Sequence, residues 1–265
     1  MSLDFDTDRA VVGMVHLAAL PGAPAFDGDR AAIRDAALRD ARRLEAGGVD
    51  ALMVENFGDA PFYADDVPKH IVASMAALVR DLRRETDLPL GVNVLRNDAE
   101  AAVSVAAAAG ADFVRVNVHA GTRLTDQGVV EGEAAETVRL RDRLDADVSI
   151  LADVDVKHSA ALAERPLREE VAELVERGHA DGVVASGSGT GHETDHDHLQ
   201  AVVDARDSLG VDAQVFVGSG VTRETVGETL DLADGAIVGT ALKENEETTA
   251  PVDEARVRAL VDAAR

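Results

Sequence analysis

The feature that most constrains this chain is a repeated punctuation. Gly48-Val-Asp50, Gly110-Ala-Asp112, Gly178-His-Ala-Asp181 and Gly210-Val-Asp212 each stand between a segment of helical spacing and a short apolar run. A glycine that terminates a helix ahead of each new strand is what repeated βα units show. The apolar runs fall at 10–17, 49–54, 90–95, 112–118, 148–156 and 181–185, and two more end at Gly218 and Gly239. Between them, sets such as Ile33, Ala37, Ala41 and Leu44, or Ile71, Met75, Leu78 and Leu82, repeat on one face of a helix. Strands and helices alternating eight times point to an α/β fold, a (β/α)₈ TIM barrel, in preference to an open doubly wound sheet. The 265 residues suit the roughly 250 of one such barrel, and no linker divides them, so 1–265 reads as a single domain.

In this architecture the loops that follow the strands carry the chemistry. Val215-Phe-Val-Gly-Ser-Gly-Val-Thr222 and Gly235-Ala-Ile-Val-Gly-Thr240 are apolar runs that stop at glycines. Glycine lets bare backbone amides approach a ligand, and Thr222 is suited to cap the helix that follows. Two such turns side by side, late in the chain, look like the phosphate cup after strands 7 and 8 of a barrel. Gly218, Ser219, Gly220, Gly239 and Thr240 are therefore the expected phosphate contacts, with Gly187 and the loop after strand 6 closing over them. Plain turn chemistry is the competing reading of the same glycines.

Polar residues at the ends of the other strands are Glu55, Asn56, Asn93, Arg96, Asn97, Asn117, Asp153, Asp155 and Lys157. Asp153, Asp155 and Lys157 alternate at the period of a strand, which places them on one face and the two carboxylates about 7 Å apart. Lys157 can hold a carboxylate ionised or, once desolvated, act as a base or a Schiff-base amine. Asp153, Asp155, Lys157, Glu55 and His16 are thus the expected proton-transfer groups, and Asn56, Asn93, Arg96, Asn97 and Asn117 the expected substrate contacts. The competing reading is a buried ion-pair network that braces the barrel mouth. Only three basic residues are lysines, Lys69, Lys157 and Lys243, and the last two follow strand-like runs, where a barrel keeps its chemistry. Carboxylates beside asparagines suit Mg²⁺, although no known metal spacing is present, and no resident cofactor or metal ligand is assigned. His192, His196 and His198 read as solvated loop histidines in preference to a zinc site.

Composition narrows the partners. With 50 Asp and Glu against 26 Lys and Arg the formal charge is −24, which repels nucleic acid and anionic membrane. The acids are spread along the chain and 46% of residues are hydrophobic, so the charge marks neither a tail nor disorder. Tolerance of such self-repulsion points to a salt-rich, halophilic cytoplasm that screens it. Absence of cysteine excludes disulfides, thiolate metal sites and a cysteine nucleophile. No apolar run spans a bilayer and the first residues lack the parts of a signal peptide, so a cytoplasmic location without membrane insertion is expected, with assembly as a homo-oligomer.

Several longer motifs occur in a fixed order: Gly13-Met-Val-His-Leu17 with Leu20-Pro-Gly22, Glu55-Asn-Phe-Gly-Asp59, Gly91-Val-Asn-Val-Leu-Arg-Asn-Asp98, Phe113-Val-Arg-Val-Asn-Val118, Thr125-Asp-Gln-Gly128, Ala152-Asp-Val-Asp-Val-Lys-His158, Gly218-Ser-Gly-Val-Thr222 and Ile237-Val-Gly-Thr240. In these the chain resembles the BtpA family, which includes the SgcQ-like proteins, from end to end. The resemblance implies kinship with ribulose-phosphate-binding barrels, and the family name implies a role in photosystem I biogenesis. Some members look like phosphoribosylanthranilate isomerase, but this chain departs from that pattern: it has no cysteine to act as base, and its first strand ends in His16. At helix 7, Arg223-Glu-Thr-Val226 replaces the glutamate-asparagine pair usual in the family. The expected function is that of an enzyme taking a small phosphorylated sugar or nucleotide-derived pentose phosphate through an isomerase, lyase or glycosyl-cleaving step. The rival is a non-catalytic assembly or stability factor, which predicts an exposed apolar patch and a mouth braced by salt bridges.

Overall fold

The computed structural model describes residues 5, 7, 9–156, 158–163, 165–186 and 195–265. Its strands, in chain order, are β1 (Ala10–His16), β2 (Ala51–Glu55), β3 (Leu90–Asn93), β4 (Phe113–Val116), β5 (Thr122–Thr125), β6 (Gly128–Glu131), β7 (Ser149–Val154), β8 (Ser159–Ala161), β9 (Gly182–Ala185), β10 (Gln214–Val217) and β11 (Gly235–Val238). Eight of them close a parallel barrel in the order β1-β11-β10-β9-β7-β4-β3-β2. The helices are α1 (Arg30–Gly47), α2 (Lys69–Arg83), α3 (Ala99–Ala109), α4 (Ala134–Arg143), α5 (Leu167–Ala172), α6 (His196–Leu209), α7 (Val226–Leu230) and α8 (Glu254–Ala264). Strand and helix alternate as the repeat predicts. No helix among the described residues is long and apolar enough to cross a membrane.

The punctuation has two physical parts. Gly48, Gly110 and Gly210 end α1, α3 and α6 in the left-handed region, at φ 93°, 79° and 66°. Gly178 does not, because α5 runs on as a π-helical turn that ends at φ −85°. The aspartates form brackets at the amino ends of paired strands. Asp50, Asp112 and Asp181 each donate their backbone N–H to the first residues of the neighbouring strand, at Val11, Leu90 and Ile150, and accept the N–H of the same residue on their carboxylate at 2.7–2.9 Å. In the fourth bracket Asp234, not Asp212, does this for Val215, at 2.7 Å. An arginine from the preceding helix layer reaches each carboxylate: Arg265, Arg83, Arg141 and Arg206, at 2.8–3.3 Å. Polar groups at four strand starts are thereby satisfied without water.

Inside the barrel, Phe113 and Phe216 are fully buried with Met14, Met53, Leu151, Val184 and Ile237. Glycines make room for the two rings: a Cβ at Gly91 would lie 2.2 Å from the Phe113 ring, and one at Gly235 2.4 Å from that of Phe216. A second, larger core fills the space between the barrel and its helices.

Two expectations change at the carboxyl end of the barrel, and one element is added there. The added element follows β4: β5 and β6 pair as an antiparallel hairpin around Asp126 and Gln127, and β8 adds on the other side of β5. The alternation Thr-Arg-Leu-Thr before the turn and Gly128 at φ 103° are hairpin signals. Thr222 does not cap α7; it forms a turn closed by Thr225, whose hydroxyl accepts the Thr222 N–H at 3.1 Å. Lys243 lies outside the mouth, buried beneath α1 with its ammonium 3.0 Å from Asp40. Burial pushes its pKa down, against the pull of Asp40.

Candidate functional site

Side chains alternate along a strand, so each interior residue of the apolar core is followed, two positions on, by the next inward residue at the mouth. From Met14, Met53, Phe113, Leu151, Val184, Phe216 and Ile237 the step of two arrives at His16, Glu55, Arg115, Asp153, Ser186, Gly218 and Gly239. Asn93, opposite both Glu55 and Arg115 in the strand register, completes the level. The mouth is therefore floored by six polar side chains and two glycines. Absence of side chains at Gly218 and Gly239 opens a cavity of about 110 Å³ on that side, lined by both glycine turns together with His16, Glu55, Arg115 and Glu246. The two turns do converge, and Gly218, Ser219, Gly220, Gly239 and Thr240 all face this cavity. Both glycines are also required sterically. A Cβ at Gly218 would sit 2.8 Å from Arg115 Nη2 and from Ser186 Oγ, and one at Gly239 2.8 Å from His16 Cε1.

Arg115 and Asp153 form a two-pronged pair, Nε to Oδ1 at 2.8 Å and Nη2 to Oδ2 at 2.9 Å, with side chains 3% and 0% exposed. Asn117 donates to the same carboxylate at 3.0 Å, and Arg115 Nη2 reaches Ser186 Oγ at 3.3 Å. Burial opposes the charge on Arg115 more than any other single influence, yet Asp153, through its charge and its hydrogen bonds, outweighs it with help from Glu55 and holds the guanidinium pKa above its ordinary value. Asp153 thus positions Arg115 and does not stand open as a base. Asn93 extends the chain, donating to Asn117 Oδ1 at 3.3 Å and to the Arg115 carbonyl at 2.8 Å.

His16 is set on the opposite side. Its Nδ1 lies 3.2 Å from the Thr248 carbonyl, an acceptor, so Nδ1 carries a proton and Nε2 faces Glu55 Oε1 at 3.8 Å. Phe57 packs against the ring at a tilt of 43°, 5.0 Å between centroids. A hydroxyl of a bound molecule set beside both Nε2 and Glu55 meets two acceptors, and once either has taken its proton the pair holds one group able to give a proton and one able to take it.

Other expected site residues do different work. Asp155 leaves the strand pattern: β7 stops at Val154, Asp155 takes φ 58°, and its exposed carboxylate pairs with Arg123 of the hairpin at 2.6 Å. The expected face shared by Asp153 and Asp155 is therefore absent, because the backbone turns between them. Asn56 braces two loops, accepting the Leu95 N–H at 2.7 Å and donating to Asp59 at 3.1 Å. Asn97 ties itself to both backbone groups of Val118, at 2.7 and 2.9 Å. Arg96 turns to the hairpin, donating to Gln127 at 3.2 Å. Lys157, Gly187 and His192 lie outside the described residues. Among the described residues no three acidic or histidine side chains are grouped to hold a metal ion, and both oxygens of Asp153 are already engaged. Arg115 is the site residue that strand-end reading overlooked; an arginine inside an apolar strand is itself the signal, since a buried charge demands a partner.

Relatives agree with the geometry at the level of fold. A protein of Thermococcus kodakarensis is 46% identical over 265 residues, covering 99% of this chain and 97% of its own. The photosystem I biogenesis protein BtpA of Synechocystis is 40% identical over 259 residues, with 98% of this chain and 89% of that one covered. Among solved structures, the phosphoribosylanthranilate isomerase of Pyrococcus furiosus matches with a TM-score of 0.58 at 13% identity, over 97% of this chain and 98% of that one, a likeness of fold alone. The BtpA family profile matches residues 7–265, and with these relatives that match makes the chain a member of the BtpA family.

Proposed function

We propose that the protein is an enzyme acting on a small phosphorylated sugar or nucleotide-derived pentose phosphate, with the phosphate held at residues 218–220 and at Gly239 and Thr240. One observation carries this reading: both glycine turns open onto the same cavity as His16, Glu55 and Arg115. Backbone amides at such turns favour an anion, and Arg115, held by Asp153, lines the same cavity beside them. His16 and Glu55 are the proton-transfer pair, and Asp153 and Asn117 hold Arg115 in place. Among isomerase, lyase and glycosyl-cleaving steps, each needs one group that gives and one that takes a proton at adjoining atoms. In this reading the protein works in a salt-rich cytoplasm, and the −24 charge is adaptation to that solvent.

Calorimetric titration with inorganic phosphate and ribose 5-phosphate tests the proposal, followed by turnover of any sugar phosphate that binds. Saturable binding lost in Gly239→Val, with turnover lost but binding kept in His16→Asn and Glu55→Gln, is the expected pattern. Crystals soaked in phosphate that carry the anion elsewhere and leave these turns empty refute it.

A second reading has its own observation. Leu124, Val129 and Leu162, at 48%, 55% and 60% exposure, lie on or beside the three-stranded sheet at the mouth, and Leu124 pairs directly with Val129. Such a patch suits a non-catalytic assembly factor, and the Synechocystis relative is named for photosystem I biogenesis. Leu124→Ser with Val129→Ser would abolish that role and leave phosphate binding intact.

A further inference from the structure

A second cavity, of about 320 Å³, lies at the same carboxyl end of the barrel, between the loops that follow β1 and β2 and the start of α2. Its size falls within the roughly 300–1,000 Å³ usual for small-molecule sites, whereas the phosphate cavity alone is smaller. Its walls are mostly apolar, and two of the chain's few aromatic side chains, Phe62 and Tyr63, are among them. Arg96 covers the Phe62 ring at 5.8 Å and fixes it from one side. Tyr63, the only tyrosine, is 54% exposed at this cavity, although a large amphipathic ring ordinarily buries its face. Three polar groups converge there: Asn56, Asp59 and, at the rim, His70. Asp59 accepts one hydrogen bond on each oxygen, from the Leu20 N–H at 2.7 Å and from Asn56 at 3.1 Å, which leaves lone pairs for a further donor. Burial, the largest influence, raises its pKa, as suits a carboxyl that meets a ligand in an apolar setting.

The geometry points to a subsite for a flat heteroaromatic ring bearing N–H donors, the nucleobase of a nucleotide-type ligand, stacked against Tyr63 and Phe62 and hydrogen-bonded to Asp59. This rests on the proposed phosphate reading for the other end of the same ligand. Glu55 lines the phosphate cavity and Asn56, the next residue, lines this one, so the two cavities flank the end of β2 and the ligand would cross it. Gly239 follows β11, whose end lies two strand spacings from that of β2, about 10 Å at the usual 4.8 Å per strand. A nucleoside monophosphate spans that interval.

With one tyrosine and no tryptophan, the chain's intrinsic emission reports on Tyr63 alone. The four ribonucleoside 5′-monophosphates, their nucleosides and ribose 5-phosphate are titrated against the full-length protein at high salt, following both Tyr63 emission and heat. The expected result is that at least one nucleotide alters Tyr63 emission saturably and binds about tenfold or more tighter than ribose 5-phosphate, as a stacked base does. Tyr63→Ala should then lower nucleotide affinity to that of ribose 5-phosphate and leave the latter unchanged. Equal affinity for nucleotides and ribose 5-phosphate with unaltered emission overturns the ring subsite and leaves the phosphate reading standing. A nucleoside that alters emission while ribose 5-phosphate fails to bind supports the ring subsite and overturns the phosphate reading. Silence from every compound overturns both.

Discussion

Removing one charge from the mouth of the barrel should unfold the protein earlier than removing two. Asp153→Asn keeps the shape of the side chain but strips the charge that balances Arg115, a guanidinium 3% exposed and held at 2.8 and 2.9 Å. Breaking a buried pair by one partner costs about 3–5 kcal/mol, because the other charge is left uncompensated. The 265 residues at about 2.1 cal/mol/K each give an unfolding entropy near 0.56 kcal/mol/K, so the melting point should fall by about 5–9 °C. Glu55, whose charge also favours Arg115, places the expectation toward the lower end of that span. The double variant Arg115→Met with Asp153→Leu removes both charges and fills the space with apolar atoms, and it should melt close to the parent. Scanning calorimetry on the parent, Arg115→Met, Asp153→Leu and the double completes a mutant cycle, with Asp153→Asn measured beside it. A single variant that melts within about 1 °C of the parent, or a double variant as unstable as the sum of the singles, refutes the claim that these residues form one electrostatic unit.

Four further outcomes are expected. Asp112→Ala removes the carboxylate that accepts the Leu90 N–H at 2.7 Å and the Arg83 pair, and should cost about 1–3 kcal/mol in urea unfolding; no loss would mean that water replaces the bracket. Gly91→Ala drives a Cβ to 2.2 Å from the Phe113 ring and should cost about 1–3 kcal/mol by overpacking, read as a lower urea midpoint. His119 is buried with Nε2 2.8 Å from the Gly178 carbonyl, and burial lowers its pKa from 6.5, so in acid the unfolded chain takes the proton first. Stability should therefore fall as pH drops below 6.5, by up to about 1.4 kcal/mol per unit from this group, and His119→Asn should lack that part of the slope when the two are unfolded in urea between neutral and mildly acidic pH. Molar KCl, which shortens the screening length from about 10 Å at 0.1 M to about 3 Å, should raise the melting point of a chain of charge −24; a melting point indifferent to salt would remove the halophilic reading.

The order of elements was legible from the chain alone because it depends on short-range rules. Glycines at 48, 110 and 210 had to leave the helical region, and the period of two fixed which strand residues look inward. The same local rules placed Gly218, Ser219, Gly220, Gly239 and Thr240 at one site, since strands 7 and 8 of a closed barrel are neighbours by construction. Partnership was not legible. That Asp153 belongs to Arg115, that Asp155 turns out to Arg123, and that Lys243 belongs to Asp40 on α1 depend on which strand or helix stands beside which, across separations of 38, 32 and 203 residues. A carboxylate's chemistry is set by the nearest opposite charge and by its burial, and a one-dimensional pattern carries neither. Sequence therefore named His16, Glu55, Asn93 and Asp153 at the mouth but not Arg115 or Ser186, and only tertiary packing decided that His16 and Glu55 face each other there while Asp153 is held by its partner.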